Sequence, residues 1–580
     1  QKLTPSFSSM TNGMGTTLSL NGLPDDYFIF LENGKRLYGD DTYARINVAK
    51  IKRIEILNGA SSALYGTNAI GGVINIITDD VKNAINVSSD TRYASKGRFT
   101  QSVNIDVNTG KFGSYTSYRR QQAEGWQLNP YEENSKTHEL EETGKVASTG
   151  FYANTVNQKF TFDATDKLSF YARGGYYDNK TRRPYEAYDY NILHETFNYG
   201  IGAQYMINKG NYITADCYAD HFSSSYCFFK DNKTYNGKAG EEQVRKRTRN
   251  HNLSIKGIFK LGNRHKLSVG TEYIVDVLKS QTDNIAKEDA YTLALFAQDE
   301  IKLLRNLQAL IGVRYIYHEN FKNHATPNVA LMYKPGKFNF RASYAAGFRT
   351  PTLSELYATD IAKKNDRLTI GNLDLKPEKN NYFSLSAEYV HERFSVSVNA
   401  FYNNIRDMID YNTIATGDKA MEQYGHKEVR QRDNIAEAKV HGINVSANAY
   451  LGAGFNLSGG YTHLNTQDVE LEQPIDKSIK NAYNINAQWA HSWKIYRLNI
   501  NLNGRFNSKR FSKSYGYAPE YQLWDLNTRH SFNLKSVIIE PGCGMENLFD
   551  YMDDRPYNSN YATLTPGRSF YISLSLKFKS

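Results

Sequence analysis

Cysteine, proline and tryptophan are scarce in this sequence. Its 580 residues include 3 cysteines, 13 prolines and 4 tryptophans. Three cysteines cannot build a disulfide framework, and none has the spacing of a metal site. Cys217 and Cys227 are open to two interpretations, a disulfide across a loop or two reduced thiols. The sequence therefore excludes a disulfide-rich scaffold.

Long apolar runs are also missing. No stretch of about 18 apolar residues occurs, which excludes a transmembrane helix. A membrane β-barrel is not excluded, because barrel strands carry only a weak alternating signal. Lys and Arg number 70 against 60 Asp and Glu, and the two signs are interspersed. Because no compact basic helix is present, the net charge of +10 does not predict a nucleic-acid partner.

Tyrosine and phenylalanine are abundant instead, with 44 and 29 residues. In the last segment Phe570, Ile572 and Leu574 alternate with more polar neighbours, and the stretches 394–402 and 498–506 repeat this pattern. A strand between lipid and a water-filled lumen needs one apolar and one polar face. The alternation therefore favours membrane-spanning strands.

After residue 81, short turns rich in Gly, Asn and Asp alternate with long polar connections. The long connections are 123–156, 178–195, 223–247, 349–379, 405–435, 465–480, 507–520 and 550–566. Short turns at one end and long loops at the other are typical of outer-membrane barrels. We therefore predict an all-β transmembrane barrel of about 22 antiparallel strands over residues 81–580. A soluble sandwich or propeller is disfavoured, because no blade-length repeat occurs.

Residues 1–80 have a different pattern. Short strands are predicted at 16–23, 27–37, 51–59 and 71–78, with a helical turn at 46–51. The apolar run within 71–78 indicates a strand covered on both faces. Gly59, Gly66, Gly71 and Gly72 are interpreted as turn and close-packing positions. A small α/β domain of this size is expected to sit inside the lumen as a plug, since a barrel of about 22 strands is wide enough to hold one.

The stretch "IKRIEILNGASSALYGTNAIGGVINIIT" at 51–78 closely resembles the plug signature of TonB-dependent outer-membrane receptors. "AAGFRTPTLSELY" with "GNLDLKPE" resembles a strand-loop signature of the haem, cobalamin and siderophore group. "ENLFDYMDDRPY" followed by "GRSFYISLSLKF" resembles the closing hairpin. The resemblance implies active import across the bacterial outer membrane, energised through TonB and its inner-membrane complex, without catalysis or a cofactor.

Two features depart from the family pattern. The segment that contacts TonB, the Ton box, normally precedes the plug and is not found in this sequence, so residues 1–80 are expected to be the C-terminal part of the plug. The barrel usually ends on an aromatic residue, whereas Lys579 and Ser580 follow Phe578. Further partners implied by the resemblance are a metal-chelate ligand, outer-membrane lipid, lipopolysaccharide and a surface lipoprotein.

Ligand contacts are expected from outward-facing plug loops and from long barrel loops that combine aromatic and charged residues. Flat aromatic faces suit large conjugated ligands, and polar groups fix their orientation. An aromatic girdle at the lipid interface is the alternative role for many of these tyrosines. The candidates are Met10, Met14, Arg36, Tyr38, Tyr43, Tyr185, Tyr188, Tyr190, Tyr226, Phe228, Arg349, Tyr357 and His426.

The positions of the histidines bear on the identity of the ligand. A haem receptor of this group would hold iron through histidine, yet neither 1–80 nor 349–379 contains one, which leaves His426. This leaves cobalamin or a ferric siderophore. The compact barrel and the stretch "YYDNKTRRPYEAY" look similar to the cobalamin receptor, although the scattered carboxylates at 123–142 lack the paired spacing of its calcium site. On this resemblance we expect cobalamin ahead of a ferric siderophore or haem.

Three other function classes are weighed. Carbohydrate importers of the SusC type are far longer. A passive porin would need no plug. An enzyme is disfavoured, because Ser354 and His426 lie in separate loops without a nucleophile elbow.

Overall fold

A computed structural model describes residues 5–12, 15–46, 51–59, 66, 69–78, 84–126, 130–134, 137–143, 148–183, 188–362, 366–513, 516–553, 555 and 565–579. These residues form two N-terminal sheets, a closed barrel and short elements within its long loops.

The N-terminal strands form a three-stranded and a four-stranded sheet, joined by a 3-10 turn at Asp25–Tyr27. The strands are β1 (Phe7–Asn12), β2 (Gly15–Leu20), β3 (Leu23–Pro24), β4 (Phe28–Glu32), β5 (Lys35–Arg36), β6 (Ile51–Asn58) and β7 (Gly72–Thr78). In the second sheet the order is β5-β4-β7-β6, with β4 parallel to β7. Strand β7 is thus an inner strand, and Val73 and Ile74 in it are buried. This explains the apolar run, because both faces of the strand are covered.

Twenty-two antiparallel strands close into the barrel, which confirms the predicted fold. They are β8 (Ile85–Ala94), β9 (Arg98–Asn108), β10 (Phe112–Ala123), β13 (Gly150–Asp163), β14 (Leu168–Arg182), β15 (Tyr190–Asn208), β16 (Asn211–Phe228), β17 (Glu242–Leu261), β18 (His265–Ser280), β19 (Ile285–Lys302), β20 (Leu307–His318), β21 (Lys322–Tyr333), β22 (Phe338–Arg349), β25 (Glu378–Val390), β26 (Phe394–Thr416), β27 (Glu428–Gly452), β28 (Phe455–Asp468), β29 (Asn481–Trp493), β30 (Tyr496–Asn507), β33 (Tyr521–Leu534), β34 (Val537–Glu546) and β35 (Ser569–Lys579). The last strand, β35, pairs with β8 and closes the ring.

Small elements fold within the long connections. They are the hairpins β11 (Tyr131–Glu133) with β12 (Leu140–Glu142), β23 (Thr359–Ala362) with β24 (Arg367–Ile370), and β31 (Arg510–Ser512) with β32 (Gly516–Ala518), and the helices α1 (Leu353–Tyr357) and α2 (Gly417–Tyr424). Helix α1 begins with a capping box, in which Thr352 and Glu355 each bind the other's backbone N–H. Among the described residues, no helix has the length and apolar character needed to cross a bilayer.

Several predicted long loops are largely strand. Strands β26 and β27 extend into the connection predicted at 405–435 and leave only a short tip that carries α2. The predicted loops at 178–195 and 223–247 are shortened in the same way. Where a hairpin projects beyond the lipid, both of its faces meet water, so it loses the alternation that marks a strand.

The strand faces alternate as predicted. On β15, Phe197, Tyr199 and Ile201 are exposed on the outer face, whereas Thr196 is buried toward the lumen. Cys217 and Cys227 are both free and lie on the single strand β16. Ten residues of extended chain span about 33 Å, which excludes a disulfide between them.

The N-terminal sheets lie inside the barrel, so we refer to them together as the plug. Leu23, Tyr27 and Ile70 of the plug pack with Tyr382 and Phe401 of the wall in one buried apolar cluster. Strand β7 ends before residue 79 and β8 begins at Ile85. The proposed domain boundary at residue 80 falls between them, outside the described residues, and stays a prediction, as does most of the helical turn at 46–51.

Glycine is required at the position where the plug meets this apolar cluster. Gly59 has a φ of +80°, and a Cβ there would collide with the Tyr382 ring, whereas Gly34 has a φ of +78° with open space around it. We expect Gly34→Ala to cost about 1 kcal/mol of plug stability from backbone strain, and Gly59→Ala about 2–4 kcal/mol because overpacking adds to the strain. Hydrogen exchange of plug amides in the two variants measures the difference. Equal losses of plug stability in the two variants would show that the Tyr382 ring moves aside without an energetic cost.

Candidate functional site

A cavity of about 1030 Å³ lies between the plug and one arc of the barrel wall. Its lining includes Tyr212 and Thr214 near the short-turn end of β16 and the segment 349–356 at the long-loop end. The plug contributes Lys35, Arg36 and other residues from the β4–β5 hairpin onward. The cavity therefore follows the wall over much of the height of the lumen.

Two of the predicted plug residues line this cavity. The Arg36 guanidinium lies 5.0 Å from the centroid of the Tyr38 ring. Burial, the largest influence, raises the pKa of the Tyr38 hydroxyl, so this phenol stays neutral. Tyr43, a third candidate, packs against the apolar core of the plug instead. Arg36 and Tyr38 thus contribute a cation and an aromatic residue to the lining of the cavity.

Ion pairs hold the side of the plug beside the cavity against the barrel wall. Both oxygens of Asp220 on β16 accept hydrogen bonds of 3.1 Å from Arg45, and the side chains are 0% and 6% exposed. Asp220 also accepts a bond of 3.1 Å from the Tyr38 backbone N–H. Lys35 pairs with Asp216 on the same strand. A buried carboxylate without Arg45 would be strongly destabilising.

A second contact joins the plug to β14 and β15 through Asp41. Its carboxylate lies 2.8 Å from His194 Nδ1 and accepts a bond of 3.0 Å from the Asn179 amide. Burial alone would raise the pKa of Asp41, but these two partners outweigh it, and the pKa lies below its usual value. The ionised carboxylate is therefore the form that holds the plug here.

The lowered pKa gives this contact a definite pH dependence. A depressed pKa means that the stabilisation is present above the unfolded value of about 3.9 and is lost as the pH falls through the folded-state pKa. We expect Asp41→Asn to reduce plug stability at neutral pH by about 1.5–3 kcal/mol. The difference from wild type should begin to shrink as the pH falls below about 3.9 and should vanish once the pH is below the folded-state pKa of Asp41. Urea titrations monitored by plug hydrogen exchange test this. A difference that persists in acid would contradict it.

Aromatic residues gather at the long-loop end of β15 and β16, on the inner face. Tyr190 stacks on Tyr226 with ring centroids 4.0 Å apart, and both rings lie edge-on to Phe228 and Tyr235. The pairing of Tyr190 with Phe228 across the two strands brings them together. We call these four residues the aromatic cluster.

Two arginines border the aromatic cluster. The Arg245 guanidinium lies 4.9 Å from the Tyr235 ring centroid and 5.4 Å from that of Tyr226. Arg183 lies 4.4 Å from the Tyr188 ring and 5.8 Å from the Tyr190 ring. Cations over aromatic faces gain from the ring quadrupole. The aromatic cluster is thus bordered by two guanidinium groups, of which that of Arg183 is buried.

The charge of Arg349 is compensated by two carboxylates of the protein. Its guanidinium forms two bonds of 3.0 Å to Glu355 in α1 and pairs with the fully buried Glu378. Burial raises the pKa of Glu355, and Arg349 more than reverses this, so the pKa lies below its usual value. Arg349 lines the cavity but has its charge compensated by two carboxylates. This arrangement orders the loop that carries α1.

The remaining candidates are dispersed. Tyr357 packs on a small apolar cluster beneath α1. His426 Nδ1 lies 2.8 Å from Asp366 and links two loops. Met14 and Tyr185 lie outside the described residues, and the side chain of Met10 does too. The roles assigned to these residues stay predictions.

Several residues of the site were not among the candidates. They are Asp41, Arg45, Arg183, His194, Asp220, Tyr235, Arg245 and His318, which lines the cavity. Arg183 lies in the long connection predicted at 178–195, beside the candidates Tyr185 and Tyr188, so composition would have included it. The plug–wall pairs join residues more than 150 positions apart, and only the folded barrel brings them together.

The described residues contain no group of three or more His, Cys, Asp or Glu side chains able to hold a metal ion.

A closed barrel that holds a separate N-terminal domain in its lumen defines a plugged barrel rather than an open pore. Residues 97–540 match the family model described as "TonB dependent receptor-like, beta-barrel", and residues 1–73 match the "TonB-dependent Receptor Plug Domain". The chain belongs to the TonB-dependent receptor family. This family comprises receptors and transporters that work with TonB, and the closed barrel is consistent with an outer membrane.

Solved structures of similar fold come from iron uptake. The ferric enterobactin receptor PfeA of Pseudomonas aeruginosa has a TM-score of 0.84 at 16% identity, over 100% of this chain and 95% of that one. The siderophore receptor PirA of Acinetobacter baumannii has a TM-score of 0.81 at 17% identity, over 99% and 95%. The FrpB iron transporter of Neisseria meningitidis has a TM-score of 0.77 at 14% identity, over 99% and 95%. At these identities the matches show the fold that this chain shares with the three proteins.

Proposed function

We propose that this protein imports an anionic, aromatic ferric siderophore across a bacterial outer membrane in a TonB-dependent step. The observation that carries the proposal is the aromatic cluster with Arg183 and Arg245 at the long-loop end of the lumen. Ferric complexes of phenolate, catecholate and carboxylate ligands carry negative charge. Rings that stack and guanidinium groups that neutralise charge would recognise such a complex together.

The cavity supports the same proposal. Lys246, which follows Arg245 in sequence, lines it, so the cluster and the cavity are contiguous along β17. At about 1030 Å³ the cavity is at the upper end of small-molecule sites. A chelate held at the cluster would thus have a polar route beside the plug. Similarity to iron-uptake receptors points in the same direction.

Cobalamin and haem are the alternatives. Corrinoids carry little net charge and would gain little from two arginines. Haem would require an available imidazole, and in the described lumen His194 is engaged by Asp41 while His318 Nδ1 accepts a backbone N–H. These contacts support the siderophore over both.

Growth rescue tests the proposal. A host that lacks its own siderophore, haem and cobalamin receptors is complemented with this gene and supplied with each nutrient in turn. Rescue by ferric catecholate or phenolate complexes, abolished by deletion of TonB, is the expected result. Rescue by cobalamin or haem alone would replace the proposal with that ligand. Rescue that survives TonB deletion would indicate a passive pore.

A further inference from the structure

A row of paired residues crosses the inner wall of the barrel from β17 to β20. Lys256 lies opposite Gly270, which lies opposite Phe296. Phe296 in turn lies opposite Arg314. Lys256, Phe296 and Arg314 line the cavity, so their side chains are on the lumen face of their strands. Because a Cβ at Gly270 would collide with the Phe296 ring, glycine lets this ring lie across β18. The row thus places an aromatic ring between two cations.

This row lies far below the aromatic cluster. Arg245 borders the cluster, and Lys256 lies on the same strand toward its short-turn end. At 3.3 Å per residue and a strand tilt near 40°, the two residues are separated by roughly 25–30 Å along the barrel axis. One chelate cannot contact both places at once. Lys246 and Lys256 both line the cavity, which therefore connects the two heights.

Arg314 has donors that the protein does not use. Its side chain is 1% exposed, and Nη2 pairs with Glu272 on β18. The described residues provide no acceptor for Nε or Nη1, although both atoms are buried. A buried donor of a charged group that lacks a partner costs free energy, and an added acceptor recovers it. An anionic oxygen in the cavity would supply such an acceptor.

The charge of the row is positive. Lys256 forms no ion pair with any described residue, and Glu272 is the single carboxylate that pairs with Arg314. Lys35, on the plug side of the cavity, is paired with Asp216. Two cations of the wall therefore face the cavity with one carboxylate between them. An anion is the ligand that this imbalance favours.

We propose that Lys256, Phe296 and Arg314 form a second binding site, at mid-height in the lumen, for an aromatic anion. The inference deepens the proposed function and rests on it for the identity of the anion, which is a phenolate, catecholate or carboxylate arm of the imported ferric chelate. The two cations would neutralise the oxygens of this arm, and Phe296 would contact its ring. A chelate released from the aromatic cluster would then pass the plug in two shorter steps.

The test titrates the full chain in detergent with 4-fluorobenzoate, a small aromatic anion, and follows the probe by fluorine NMR. All titrations use the Tyr226→Ala background, which disrupts the aromatic cluster. In the variant K256Q/R314K, the first change removes the ammonium. The second keeps a positive charge beside Glu272 but removes the free guanidinium donors. Each charged hydrogen bond is worth about tenfold or more in affinity, so the variant should bind the probe roughly 100-fold more weakly.

Lys159→Gln is the matched control, because Lys159 lines the same cavity on β13. It should bind the probe as its parent does, and migration of the unboiled protein on a gel verifies that each barrel is folded. Phe296→Leu should weaken binding of 4-fluorobenzoate but not of inorganic phosphate. Unchanged affinity in the folded K256Q/R314K variant would overturn the site. Equal losses of both anions in Phe296→Leu would overturn the choice of an aromatic ligand.

Uptake separates this inference from the proposed function. With Tyr226 intact, K256Q/R314K should bind a ferric catecholate at the long-loop end with wild-type affinity. Its TonB-dependent uptake of radioactive iron should be slower by about tenfold or more. Wild-type uptake would overturn the role of the site in passage. If the wild-type receptor imports cobalamin or haem alone, the proposed function fails, while the 4-fluorobenzoate titration still decides whether the anion site exists.

Discussion

Replacing Asp220 by alanine is expected to loosen the plug within an intact barrel. The substitution leaves the Arg45 guanidinium buried without its carboxylate and leaves the Tyr38 N–H without its acceptor. Removing one partner of a buried ion pair costs about 3–5 kcal/mol. Hydrogen exchange of the plug segment 28–46 should therefore accelerate by roughly 150- to 5000-fold, with the barrel strands unaffected.

Two controls separate loss of the ion pair from general damage. Arg53→Ala breaks the ion pair with Glu55, in which the two side chains are 55% and 37% exposed, and should change exchange little. The double variant R45L/D220L replaces the charges with apolar side chains and should recover much of the lost protection. Single-channel recordings of the Asp220→Ala protein should show more frequent openings. Protection equal to wild type would mean that the plug is held elsewhere.

Replacing Tyr226 by alanine is expected to produce the largest loss of ligand affinity of any single change. Tyr226 lies at the centre of the aromatic cluster, stacked on Tyr190, edge-on to Tyr235 and beneath Arg245. Buried aromatic anchors in binding sites are worth about 2 kcal/mol or more, so binding of a ferric catecholate should weaken by roughly 30-fold or more. Fluorescence quenching titrations measure this change.

The matched control is Tyr199→Ala. Tyr199 lies on β15, as Tyr190 does, but its ring is exposed on the outer face. Its removal should leave affinity unchanged while it perturbs the same sheet. If the two variants bind alike, the aromatic cluster does not contact the ligand, and the site must be sought elsewhere in the cavity.

The barrel could be predicted from the sequence because its signal, the alternation of apolar and polar residues, is local to each strand. Alternation such as that of Phe570, Ile572 and Leu574 repeats within each strand, and turn residues mark most hairpins. The buried strand β7 was equally predictable from its apolar run. The extent of β26 and β27 was not, because strands that leave the lipid are wet on both faces.

The candidate site was predictable only in part. Tyr190, Tyr226 and Phe228 were expected from aromatic-rich stretches, but their stacking depends on the register of β15 against β16. The pairs Arg45–Asp220 and Asp41–His194 depend on how the plug is seated, which no local pattern encodes. Arg349 was expected to face the ligand, yet Glu355 and Glu378 of the same long connection converge on it.

The plug is attached unevenly around its circumference. On one arc of the barrel wall, Leu23 and Ile70 of the plug pack against Phe401 and Leu464. These contacts are apolar, so water cannot replace them when they separate. On the opposite arc the joint is made of charges beside a cavity, and water can solvate each charge as it separates. A force applied to the plug from the short-turn end of the barrel would therefore rotate the plug. The contacts of the charged arc would separate first, and the apolar arc would act as the pivot.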